Sequence, residues 1–514
     1  MKFTVSLKPL SIIILLVFSL TPLFSQTFDW NLGTGGNVSR NGLSEALGPL
    51  VALGTAPDLY WSGGEYAAFA GYPVIEGDNL IVYRRLASSP STESWIINYN
   101  VYTGVERWRI QLPIDTYHNY SKVSAVNNGV VYANRAGGTS EPEYIYALDI
   151  TTGAVIWKSE DVFGEHNTET VTFTDNGDII ASDGDKISRI NKDDGTTIWS
   201  FSRPGSSSDG NAVSAYGDRG YFWGQNSMGM FVGVCDLVSG AYLYPSQSLG
   251  SPGFQQGCLM VGPDGTVYAP FIRGNDSDSL FALIDDGDSL TNKWSYPICH
   301  ATFGNHGVGP DSTVYTYSRD ERIVRLHPET GVVIDSSIVV SDGNSFFSST
   351  MAVGDDGMVY ATVTDYPFAK TYIFTQDLEY LWGEEIYGVR GVALGDSVLV
   401  VNGKSTEIRA YMGRSNPTSI EIENQGNIHN SSIICSPNPF SSRLSITYSI
   451  PEAAEVELSV YDLSGRLVET LEAGSTSSGE HIRTWTPESS LPDGCFLIVL
   501  NAGGERTVRR CMRL

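Results

Sequence analysis

The sequence predicts an all-β chain: a ring of eight four-stranded sheets, or seven if one loose copy has decayed, followed by a small Ig-like β-sandwich. Three observations carry this expectation. A hairpin of one design recurs about every 45 residues, a second hairpin precedes each copy, and the pattern changes after residue 413.

Taken in order, residues 1–25 read as a secretory signal peptide. Lys2 and Lys8 give it a positive end, Ser11–Leu20 (SIIILLVFSL) an apolar run, and Thr21–Ser25 a cleavage region. The run is shorter than the roughly 20 residues of a membrane span. The expectation is a mature form with no transmembrane span, and no cysteine near the cleavage region to carry a lipid.

Residues 26–413 carry the repeat. YIYALDITTGAVIW, ending at Trp157, reappears as INYNVYTGVERW to Trp108 and ISRINKDDGTTIW to Trp199. Looser copies end at Tyr244, Trp294, Asp335 and Trp382, so successive ends lie 49, 42, 45, 50, 41 and 47 residues apart. Eight turns of a second kind, such as NNGVVYA and PDGTVYA, alternate with them. Asn, Asp and Gly supply the positive φ of tight reversals, and Val, Ile, Tyr and Phe suit a pleated, buried surface. Two hairpins make a four-stranded unit, the period of a propeller blade. The last unit has only Val392–Gly395, Ser397–Asn402 and Glu407–Met412, while Asp58–Trp61 is a stray outer strand. The ring is therefore expected to close by pairing 58–61 with 392–412, which leaves no sheet edge open.

The LDITTGAVIW type of repeat, with its Asp-x-x-Thr-Gly-x-x-x-Trp core, resembles the PQQ-type β-propeller repeat found in quinoprotein alcohol dehydrogenases and the BamB-like outer-membrane assembly subunit. That resemblance covers roughly residues 57–413 and implies the fold. The dehydrogenases also use adjacent cysteines over the quinone and a calcium-ligating set; this chain has no adjacent cysteines, and Cys299-His300 lacks the C-x-x-C-H of haem attachment. No cofactor is expected, PQQ least of all. Ca²⁺ is weighed at the acidic turns Asn275–Asp278 and Asp285–Asp288, which lack the glycine and distal glutamate of an EF-hand loop.

Residues 414–435 read as a linker and 436–514 as the sandwich, with alternation at Leu444, Ile446, Tyr448 and Ile450 and at Val456, Leu458 and Val460. Asn438-Pro439-Phe440, the run Val460–Arg466, Gly479-x-His481, Trp485 and Gly494 are similar to the type A C-terminal sorting domain of the type IX secretion system. That resemblance implies a translocon as partner of residues 436–514, passage across the outer membrane, and a secreted or cell-surface destination. If residues 501–505 form a hairpin loop, Cys495 would face Cys511 in a disulfide.

With 32 basic against 58 acidic side chains, a formal charge of −26, nucleic acid is not an expected partner. The connectors from each outer strand to the next inner strand gather Tyr117, His118, His166, His300, Phe303, His306, Phe346, Tyr387 and Arg390 at the mouth of the funnel. Aromatic faces among polar groups suit a glycan, protein or small-molecule ligand. The expected function is a non-catalytic binding protein; the alternative is an extracellular enzyme in the same funnel, a degenerate quinoprotein dehydrogenase or a glycan hydrolase or lyase.

Overall fold

The structure is a computed structural model; it describes residues 30–513 apart from 34, 50, 52–55, 65–68, 86–93, 113–119, 137–143, 164–170, 206–211, 253–256, 273–277, 300–304, 342–348, 366–367, 388, 404–406, 414–431, 437–439, 441, 451–452, 463–465, 488–490, 492–493 and 504. Contacts divide the chain into Met1–Pro417 and Thr418–Leu514.

In the first unit the described residues form eight antiparallel sheets, one for each repeat. Their innermost strands are Val74–Glu76, Tyr120–Asn127, Val171–Phe173, Ser214–Tyr216, Met260–Val261, Gly307–Val308, Thr350–Val353 and Val389–Gly395, taken here as blades 1 to 8. These strands touch between blades 1 and 2, 2 and 3, 3 and 4, 4 and 5, 6 and 7, 7 and 8, and back from 8 to 1. Blades 5, 6 and 7 share a single apolar cluster. The sheets form a closed wheel, and its seam is the expected one: Asp58–Gly63 pairs antiparallel with Ile408–Met412, Trp61 opposite Ala410.

The turns show why the sequence repeats. Asn128-Gly129, both at positive φ, close a two-residue reversal between Asn127 and Val130. In the tryptophan hairpin, Asp149 Oδ1 accepts from Thr151 N, Thr152 N and Thr152 Oγ1, and Gly153 N donates to Asp149 O at 2.8 Å. These bonds, the Thr152 hydroxyl foremost, hold the Asp149 carboxyl below its usual range. In all eight blades the third-to-outer pairing then shifts register by a bulge just before the tryptophan position.

Trp157 and Trp294 pack on their own blades against Tyr132 and Tyr268, and five tryptophans of the repeat also cross to the tight turn of the next blade. Trp61, Trp108, Trp157, Trp199 and Trp294 donate Nε1 to Val101 O, Ile150 O, Lys192 O, Val238 O and Pro328 O at 2.7–3.2 Å. Their rings lie against Gly104, Gly153, Gly195, Gly240 and Gly331, where an added Cβ would stand 2.6–2.8 Å from the indole.

A feature without a repeat completes the ring. The segment Trp30–Pro49 runs round its inside and meets the free edge of each blade in order. Trp30 exchanges both backbone bonds with Ile75 of blade 1, and Asn31 O accepts from Val126 N of blade 2. Val38 O accepts from Thr172 Oγ1 of blade 3 and from Ala215 N of blade 4. Ser39 O, Asn41 O and Gly42 O accept from Val261 N, Val308 N and Val353 N of blades 5 to 7, and Leu47 O accepts from Ser397 N of blade 8. Innermost strands would otherwise leave unpaired backbone groups along the channel, a cost this strap removes.

In the second unit, Ser432–Ser436, Leu444–Ile450 and Gly479–Trp485 form one sheet and Ala454–Asp462, Leu467–Thr476, Gly494–Ala502 and Glu505–Arg513 the other. The alternating residues of the sequence, from Leu444 to Ile450 and Val456 to Val460, fill its core with Phe440, Trp485, Phe496 and Ile498. The first strand begins inside the segment read as linker. The expected disulfide is corrected: Ala502 pairs with Glu505, so the closing turn is two residues, not five. That one-residue slip sets Cys511 opposite Phe496 and Cys495 opposite Met512, so the two cysteines are not register partners.

Candidate functional site

Of the nine residues expected at the funnel, Tyr117, His118, His166, His300, Phe303 and Phe346 lie outside the described residues, as do the side chains of Tyr387 and Arg390. His306 is described, and it is not a solvent-facing loop residue. It precedes the innermost strand of blade 6 and is fully buried, its ring centroid 5.7 Å from that of Tyr317. Nδ1 lies 2.8 Å from Thr316 Oγ1, and Nε2 has no hydrogen-bond partner in the structure. Burial pulls its pKa down to about 4, so the ring is neutral at physiological pH. A neutral imidazole with one committed nitrogen is a hydrogen-bonding group held inside the wheel.

Around the axis the strap supplies the other buried polar groups. Arg40, at φ 53° and fully buried, donates Nε to Val213 O at 3.1 Å and Nη2 to Val171 O at 2.8 Å. Asn41 donates Nδ2 to Val261 O at 2.7 Å. Blade 7 is reached through Asn305, which donates to Met351 O and accepts from Met351 N, each at 3.0 Å. Sequence reasoning missed this strap. Its Gly-Asn-Ser composition reads as a loop, and its partners are dispersed along the whole repeat.

Phe163, in another connector, packs in the cluster shared by blades 2 and 3, with Lys186 Nζ 4.8 Å from its ring centroid. The two acidic turns behave differently. Asp278 is buried, whereas Asn275, Asp276 and Ser277 are not among the described residues. Asp285 accepts from Tyr244 Oη at 2.6 Å, Tyr221 Oη at 2.8 Å and Gly287 N at 2.9 Å. Burial raises its carboxyl pKa, but those bonds outweigh burial and hold it below the usual range. No group of three or more His, Cys, Asp or Glu stands in metal-ligating range among the described residues, and no described helix is long and apolar enough to cross a membrane.

The fold and its repeat define the class: this is a β-propeller protein. The family model described as outer membrane protein assembly factor BamB matches residues 92–234, and the secretion system C-terminal sorting domain matches residues 436–512. The chain thus carries PQQ-type, BamB-like repeats and a type IX sorting domain. No curated protein matches it. Among solved structures, BamB from Moraxella catarrhalis is 12% identical over 65% of this chain and 82% of its own, at a TM-score of 0.33. PorZ, an essential surface component of the type-IX secretion system of Porphyromonas gingivalis, is 10% identical over 88% of this chain and 60% of its own, at 0.39. The Dos1 propeller is 8% identical over 70% and 96%, at 0.49.

Proposed function

We propose that this protein is a non-catalytic binding protein of the cell surface or extracellular space, delivered by a type IX translocon that reads residues 436–514. The sorting-domain match over residues 436–512 carries the reading. The wheel supports it as a scaffold: a ring sealed at its seam and strapped from within is pre-organised, which lowers the entropy a ligand must overcome. The ligand is a glycan, protein or small molecule received on the connector face, where Tyr117, His166 and Phe303 offer aromatic and polar contacts. This reading requires no quinone and no metal.

Deleting residues 436–514 should leave the protein in the periplasm, measured by surface proteolysis and cell fractionation; display without the segment overturns the export reading. On a glycan array, replacing Tyr117, His166 and Phe303 by alanine should abolish binding, and unchanged binding would move the ligand off the connector face.

A further inference from the structure

At five blade interfaces the tight turn of one blade is filled by the tryptophan of the preceding one. Between blades 4 and 5 it is not. The tryptophan position, opposite Val234, is Tyr244, and the hairpin of blade 5 is two residues longer than that of blade 2, Ala282 to Trp294 against Ala147 to Trp157, with Asp285 paired to Leu290 and Asp286 N donating to Ser289 O. Tyr244 Oη is drawn aside by Asp285 and Arg219, and a Cβ on Gly287 would meet nothing within 4 Å. What remains is an open cavity of about 320 Å³, lined by Tyr216, Arg219, Asp264, Thr266, Ile284 and Asp285 among others.

We propose that this crevice binds a pyranose ring, one neutral sugar unit of a glycan; the proposal rests on the binding-protein reading for its ligand class and places a site away from the connectors. Its chemistry selects against ions. An anion would meet Asp264 and Asp285, and a cation would meet Arg219. A hydroxylated ring suits all three, because each hydroxyl both donates and accepts. Arg219 directs one N–H to Tyr244 Oη at 3.0 Å and one, weakly, to Gly287 O at 3.5 Å, and so keeps donors for a ligand. Asp264 is held in place by Thr266 N at 3.0 Å and Thr266 Oγ1 at 2.8 Å. The apolar face of the sugar would lie on Tyr216 and Ile284, which are 41% and 40% exposed. An indole would take away the hydroxyl that Asp285 and Arg219 share, so this socket differs in kind from the five filled ones.

The test is calorimetric titration of the full chain with glucose, galactose, mannose, N-acetylglucosamine and their β-linked disaccharides, repeated on Tyr244→Trp and Arg219→Ala. Tyr244→Trp places the ring used at the five filled interfaces against the cavity and removes the hydroxyl that Asp285 and Arg219 share; Tm is measured alongside to show that the variant folds. At least one sugar should bind, and affinity should fall tenfold or more in each variant. If Arg219→Ala fails to fold, Tyr244→Trp decides. Absence of binding by every sugar overturns the proposal, and so does binding unchanged in Tyr244→Trp. Binding that survives Tyr244→Trp but is lost in Tyr117→Ala would overturn the crevice and uphold the connector face.

Discussion

The glycines of the Asp-x-x-Thr-Gly turns show how much one residue can be asked to do. Gly153 stands at φ +73°, where a side chain is strained, and it lies so close to Trp108 that a Cβ would be 2.8 Å from the indole. Turn chemistry and blade docking therefore demand the same residue, and that is why the motif is legible in sequence: Gly and Trp are spaced by hairpin geometry even though their contacts are between blades. His306 gives a residue-scale prediction. Its folded pKa of about 4 lies below the unfolded value of roughly 6.5, so the unfolded chain binds a proton first as pH falls. Stability should be unaffected by this group above pH 6.5, decline between 6.5 and 4, and level off below. The loss amounts to about 3 kcal/mol at most. Denaturation midpoints measured across that range should fall less steeply for His306→Gln than for the wild type; equal slopes would remove the histidine from the account.

Among the elements, the hairpins were readable and the strap was not. Hairpins announce themselves through neighbours in sequence, Asp149 bonding to Thr151 and Thr152 within three residues. The strap has no internal pattern, because its partners are eight strand edges between Ile75 and Ser397. For the same reason the connectors could be named as a group but not placed relative to one another. The strap also fixes which residue should matter most to it. Arg40 is the buried cation that joins blades 3 and 4 through Val171 O and Val213 O. Arg40→Ala leaves both carbonyls buried without that donor, a cost of about 1–3 kcal/mol for each. Arg40→Lys should recover only part, since an ammonium cannot reproduce the fork of a guanidinium. Urea denaturation measures the loss. Hydrogen exchange should show faster exchange at the amides of Val261, Val308 and Val353, which donate to the next strap residues. Protection unchanged at those amides would mean that the strap is held without Arg40.

For the whole molecule, the decisive property is that a linear chain has been made into a circle. The seam was legible because a missing outer strand at one end matched a surplus one at the other, and Asp58 indeed faces Met412. Inside a blade, the third and outer strands are joined by a short turn, as Ser188 and Ser200 are across blade 3. At the seam the same pairing closes a loop of about 350 residues, 412 minus 58, and its entropy must be recovered from the ladder, the strap and the Trp61–Val101 bond. A covalent clamp should therefore act very differently at the two places. Cysteines at Asp58 and Met412, once oxidised, remove the closure entropy of the long loop from the unfolded chain. A pair at Ser188 and Ser200 removes that of a loop of about a dozen residues. Since the effect grows as the logarithm of loop length, the seam disulfide should stabilise by about 3 kcal/mol more than the hairpin disulfide. Each is measured as the difference between oxidised and reduced forms of the same variant, so that the cost of the substitutions cancels. Equal gains at the two sites would mean that the unfolded chain already keeps its ends together, and that the ring is held by something other than its seam.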